Sequence, residues 1–153
     1  MPTDIERAPG CRTEAGTLRE PLRNLNVLVV DDHEDARELM AMILEHAGAQ
    51  VRQADSVPVA LRAAAEEEFC VLVSDIAMPG EDGYDLIRRL RSGDGLPHAR
   101  TVPAVAVTAF AATEDRKKAL AAGFQEHLAK PLDATSLIEA VARLACPRAR
   151  QPA

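Results

Sequence analysis

The sequence predicts an α/β fold, a doubly wound five-stranded parallel sheet with helices on both faces. Three observations carry that reading. Apolar runs of strand length alternate with longer stretches of helical period. The runs show no in-and-out alternation, so their strands are covered on both faces, as in a parallel sheet. A chain of 153 residues is long enough for one domain with a buried core and leaves little room for a second.

The elements follow in order. Residues 1–24 mix Pro, Gly, Thr and charges without a sustained apolar period, and are expected to form a flexible leader before a folded domain at 25–146. The first strand is VLVV (27–30). Ala36, Leu39, Met40, Ile43 and Ala47 then recur as one helix face until Gly48 stops the pattern. A weaker strand, AQVRQA (49–54), leads to a helix capped near Ser56, with Leu61 and Ala64 at i and i+3. VLVS (71–74) is the third strand, MPGEDG is turn chemistry, and Leu86, Ile87 and Leu90 mark the third helix.

VPAVAV (102–107) is the fourth strand. The helix after it begins at Thr113, whose hydroxyl can cap, with Glu114 and Asp115 favouring the positive end of the helix dipole, and it ends at Gly123. A short fifth strand precedes AKP (129–131). The last helix runs from Asp133 through Leu137, Ile138, Val141 and Leu144 to a stop at Pro147, leaving 147–153 as a flexible tail.

Composition excludes several classes of function. Eighteen basic against 24 acidic residues leave a net charge of −6 with no basic block, so direct nucleic-acid binding is not expected. Cys11, Cys70 and Cys146 are widely spaced with no CxxC pair, which argues for reduced thiols rather than zinc ligands. No secretory signal is visible, and no apolar run approaches the roughly 20 residues of a membrane span. A soluble, cytoplasmic protein without membrane contact is the expectation.

In open α/β sheets ligands bind outside the carboxyl ends of the strands. The residues standing there are Asp31 and Asp32 after the first strand, Asp75 after the third, Thr108 after the fourth, and Lys130, followed by Pro131, after the fifth. Taken singly each has a bland reading: helix caps, a loop acid before a turn, a strand threonine, a solvated lysine. Jointly they place three carboxylates, a hydroxyl and an ammonium on one edge. Crowded carboxylates repel, and protonation or a bound cation relieves the repulsion. A hard divalent ion with oxygen ligands, Mg²⁺ keeping several waters, suits the set.

The segments VLVVDD, SDIAMPGEDGYDL, AVTA and LAKP, in this order, resemble the receiver domain of two-component response regulators, a CheY-like, flavodoxin-like (βα)₅ fold, over about residues 26–146. The resemblance implies that Asp75 is the phospho-acceptor and that Asp31 and Asp32 position Mg²⁺. It further implies that the backbone carbonyl of Ala77 is a third protein ligand, that Thr108 is the switch hydroxyl, and that Lys130 contacts the phosphoryl group. It also implies a cis peptide at Lys130-Pro131, X-Pro being the bond type in which cis is cheap. The donor would be a sensor histidine kinase or phosphotransfer protein. The protein would be a switch with self-catalysed phosphotransfer and autodephosphorylation rather than a turnover enzyme.

Two positions depart from the family. His127 stands where an aromatic residue usually precedes the lysine by three; it is expected at the rim of the partner face, outside the metal site, as an ordinary surface residue. Phe110, two residues after Thr108, either shields the aspartyl phosphate from water or only packs the loop. After Cys146 only PRARQPA remains, whereas a DNA-binding effector needs on the order of 50 residues, so a downstream protein is expected to read the signal.

Three questions stay open: self-association into a homodimer, a phosphorylation-independent binding role, and origin as a receiver segment of a hybrid histidine kinase. A phosphatase of the haloacid-dehalogenase type shares the aspartyl nucleophile, but it needs DxD on the first strand. Here DD is followed by His33.

Overall fold

The computed structural model describes residues 20–92, 99–109 and 113–150, without the side chains of Thr113 and of 146–150. The order is β1 (Asn26–Val30), α1 (Glu34–His46), β2 (Gln50–Ala54), α2 (Val57–Glu66), β3 (Val71–Asp75), α3 (Gly83–Ser92), β4 (Ala104–Thr108), α4 (Thr113–Ala122), β5 (Glu126–Ala129) and α5 (Ala134–Arg150). All four strand pairs are parallel and the sheet runs β2-β1-β3-β4-β5. This is the architecture the alternation predicts.

The absence of alternation in the central strands has a direct cause in packing. Val27, Val29, Val71, Val73, Val105 and Val107 face Met40 and Leu44 of α1 and Leu137, Ala140 and Val141 of α5. The intervening Leu28, Val30, Leu72, Ala104 and Ala106 face Ala60 and Ala63 of α2, Leu86, Ile87 and Leu90 of α3, and Ala119 of α4. Every residue of β3 and β4 is therefore buried, while the edge strands β2 and β5 stay half exposed. Each face buries aliphatic area at roughly 25 cal/mol per Å², which is what holds the strand ends still.

Local chemistry sets the boundaries. The Ser56 hydroxyl caps α2, accepting from the Val59 N–H at 3.4 Å. Asp133 caps α5, its carboxylate accepting the Ser136 N–H at 2.9 Å. Asp82 and Asp85 cap each other's N–H groups reciprocally at 2.9 and 3.0 Å where the MPGEDG turn enters α3. The Arg91 guanidinium, its pKa lowered by burial, donates to the Gly123 carbonyl at 2.8 and 3.1 Å and to Gln125 Oε1 at 3.0 Å. It thereby ties α3 to the turn that feeds β5.

Three expectations need correction. The leader does not extend to residue 24, because Leu22 is fully buried, its N–H donates to the Ala47 carbonyl at 2.9 Å, and the chain from Glu20 packs against Gly48; residues 1–19 lie outside the described residues. The buried stripe of α1 is Met40, Ala41, Leu44 and Ala47, so Leu39 is 50% exposed and Met42 63%. The apolar positions of α1 are more numerous than the stripe the sheet can cover.

Finally, α5 does not stop at Pro147 but continues to Arg150. Proline lacks one N–H and crowds the carbonyl four residues back, a penalty that strong helix formers around it can offset. The capping role of Thr113, and Phe110 altogether, lie outside the described residues. So do Cys11 and the side chain of Cys146, whereas Cys70 is a free, half-buried thiol.

Candidate metal and acceptor site at the carboxyl edge

The parallel sheet delivers its chemistry in register. Asp75 is the last residue of β3, and Thr108 the last of β4. Asp31 and Asp32 follow β1, and Lys130 follows β5. Asp31, Asp75 and Thr108 are buried, exposing 0, 3 and 2% of their surface. Sequence reading anticipated this convergence, and β1 and β3 being paired neighbours explains why the two acids meet.

Asp31 is held from several sides. Its N–H donates to the Ala54 carbonyl at 3.1 Å, and its own carbonyl accepts from Arg37 at 3.1 Å. Oδ1 accepts the His33 N–H at 2.9 Å, and Oδ2 accepts from Lys130 Nζ at 3.2 Å. The same ammonium stands 3.7 Å from Asp75 Oδ2. One cation thus serves two buried carboxylates. The peptide bond at Lys130-Pro131 is cis, as the resemblance implied, and the Lys130 N–H donates to the Thr108 carbonyl at 2.9 Å.

The pKa of Asp75 is raised above the ordinary carboxylate value, by burial first and by the charge of Asp31 second. Lys130 and the N–H groups of Ile76 and Ala77 act against that rise. The native state therefore holds this proton at a pH where the unfolded chain has released it. The stability it contributes is full below the ordinary value near 4 and is lost as pH rises through the raised native value. Without metal, Asp75→Asn is expected to melt at a higher temperature than the wild type at pH 7, by a margin that shrinks toward pH 4. A lower melting temperature at pH 7 would contradict the assignment of strain to this carboxylate.

The residues fit a divalent cation. Asp32 Oδ1 is enclosed with no hydrogen-bond partner among the described residues, and oxygens of Asp31, Asp32 and Asp75 lie with a ring nitrogen of His33 in one group whose ligand atoms are all within 4.8 Å of one another. An enclosed carboxylate oxygen that accepts no hydrogen bond, crowded by two other carboxylates, favours a proton or a cation in reach. These oxygens would hold Mg²⁺. His33 was missed as a member of this group; in the sequence it read only as the residue after DD.

His127 pairs with Ala106 in the sheet and is absent from the acidic group. It is not the plain surface residue expected: it is half-buried, and its Nε2 is enclosed with no hydrogen-bond partner among the described residues. Among the described residues no helix is long and apolar enough to cross a membrane.

Comparison with known proteins agrees with this geometry. A family model described as the response regulator receiver domain matches residues 27–142. A relative in Leptolyngbya boryana, the uncharacterized 14.6 kDa protein in the sodA1 3′ region, is 44% identical over 80% of this chain and 91% of its own length. The virulence sensor protein BvgS of Bordetella pertussis is 36% identical over 97% of this chain but only 12% of its own length. Among solved structures, the receiver domain of the Francisella response regulator 1452 superposes with a TM-score of 0.75 at 27% identity, covering 82% of this chain and 99% of that one. Chemotaxis protein CheY4 of Vibrio cholerae gives 0.73 at 27% identity, covering 78% and 98%.

Proposed function

The chain belongs to the response regulator receiver domain family of two-component systems, and on that footing we propose that Asp75 accepts a phosphoryl group from a phosphohistidine donor in a Mg²⁺-dependent transfer. The observation that supports this most is the buried Asp75 carboxylate, destabilised as an anion by burial and Asp31, with one shared ammonium beside it. A carboxylate in that position gains when a phosphoryl group and cation arrive.

Asp31, Asp32, Asp75 and the Ala77 carbonyl would hold the metal. When bound, Mg²⁺ supplies positive charge against Asp75 and the phosphoryl oxygens. An oxygen of Asp75 attacks phosphorus in line while the phosphorus–nitrogen bond breaks, its electron pair leaving with the donor imidazole. Lys130 moves its ammonium from the two carboxylates to a phosphoryl oxygen. Thr108 donates its hydroxyl to another, a bond made only in the phosphorylated state, which biases the loop after β4 and so the partner surface. Water attacking phosphorus later returns the free carboxylate and inorganic phosphate. In this reading the protein is a switch rather than a turnover enzyme, and it works in the cytoplasm, charged by a sensor kinase or phosphotransfer protein and read by a further protein.

A second reading, that the chain is the receiver segment of a hybrid histidine kinase, is favoured by the match of 97% of it to 12% of BvgS. Both readings share the same chemistry. Incubation with Mg²⁺ and a small acyl-phosphate donor should add one phosphoryl group per chain. A chelator should stop the addition while leaving the circular dichroism spectrum unchanged, because a shallow site with few protein ligands is not a structural metal. No transfer in the presence of Mg²⁺ would overturn the proposal.

A further inference from the structure

His33 stands at the N-cap of α1, yet its side chain makes no capping hydrogen bond. Instead its ring turns toward the acidic pocket, with Nδ1 3.3 Å from Asp32 Oδ1 and 3.5 Å from Asp31 Oδ1. Ligand atoms on adjacent corners of an octahedron with bonds of about 2.1 Å lie roughly 3 Å apart. The imidazole nitrogen therefore already occupies a place close to that of a ligand neighbouring the two carboxylates. Asp32 Oδ1, the nearer of the two, is the enclosed oxygen without a hydrogen-bond partner among the described residues. The His33 side chain is 71% exposed, which leaves its ring freer than a buried one to close the few tenths of an ångström to that spacing.

The donor types then decide which ions would use it. Mg²⁺ prefers oxygen and keeps its water, so it gains little from an imidazole. Cobalt, nickel and zinc ions bind imidazole well, in the order of divalent first-row affinities. We propose that His33 is a side-chain ligand offered by this pocket to transition-metal dications and not to Mg²⁺, making the site selective for ions such as Co²⁺ over Mg²⁺. The inference rests on the reading of the acidic pocket as a divalent-cation site.

The test is titration of the full chain with Mg²⁺ and separately with Co²⁺, for the wild type and His33→Ala, by calorimetry, together with proton NMR of the cobalt-bound form. Alanine is suitable because the bond that fixes Asp31 Oδ1 comes from the backbone N–H of residue 33, and circular dichroism checks the fold. Co²⁺ affinity is expected to fall on the order of tenfold or more in the variant while Mg²⁺ affinity stays within about twofold. A strongly shifted imidazole signal should be present in the wild type and lost in His33→Ala. Unchanged Co²⁺ affinity, an equal loss for both ions, or a shifted imidazole signal that survives the substitution would overturn the role of His33. If Mg²⁺ binds normally, such a result leaves the acceptor-site reading intact. If neither ion binds the wild type, the cation reading falls and this inference with it.

Discussion

Gly83→Ala is expected to leave little native protein, with a loss of more than about 3 kcal/mol. A Cβ at residue 83 would stand 2.6 Å from the carbonyl oxygen of Asp75 and 2.8 Å from Cα of Ile76. Both obstacles are backbone, so no rotamer change can relieve them. The close approach is built into the site: the Gly83 N–H donates to the Ile76 carbonyl at 2.9 Å, holding the first turn of α3 against the end of β3. The same contact sets the direction of the chain leaving Asp75. The measurement is chemical denaturation at pH 7. A loss under 1 kcal/mol would show that α3 can shift outward, and that the position of Asp75 does not depend on this contact.

The second large effect is expected from Lys130→Ala. Its ammonium is the cation shared by Asp31 and Asp75, and both carboxylates are almost wholly buried. Removing one partner from a buried ionic set leaves the others uncompensated, commonly at 3–5 kcal/mol; since Lys130 is 26% exposed, about 2–3 kcal/mol is expected in the absence of metal at pH 7. Saturating Mg²⁺ should restore most of the loss, because the cation neutralises the same carboxylates. Phosphoryl addition should become much slower while Mg²⁺ binding persists. A variant as stable as the wild type without metal, or one that Mg²⁺ fails to rescue, would mean that the lysine does not balance these acids.

Much of this was legible in the sequence for specific physical reasons. The runs at 27–30, 71–74 and 102–107 are covered on both faces, so their composition alone reveals them. Asp75, Thr108 and the residues just past β1 and β5 could be placed because strand ends in a parallel sheet all point to one edge. Other features depend on contacts between distant segments. Leu22 reads as part of a polar leader until Ala47 and Gly48 are brought beside it. Leu39 fits the helical period as well as Met40 does, and only the packing of α1 on the sheet decides between them. His33 is an unremarkable letter after DD; its relevance lies in where the ring turns, which a sequence does not state. That His127 is half-buried likewise emerges only once β5 is packed beside β4.

The central claim is that Asp75, among the three clustered acids, takes the phosphoryl group. The most direct test is to phosphorylate the chain with a small acyl-phosphate donor and Mg²⁺, reduce the acyl phosphate with borohydride, and map the reduced residue by peptide mass spectrometry. The account predicts reduction at Asp75 alone, at up to one equivalent, and none in Asp75→Asn. Reduction at Asp31 or Asp32 in the wild type, or a full equivalent of label on the Asp75→Asn chain, would contradict it.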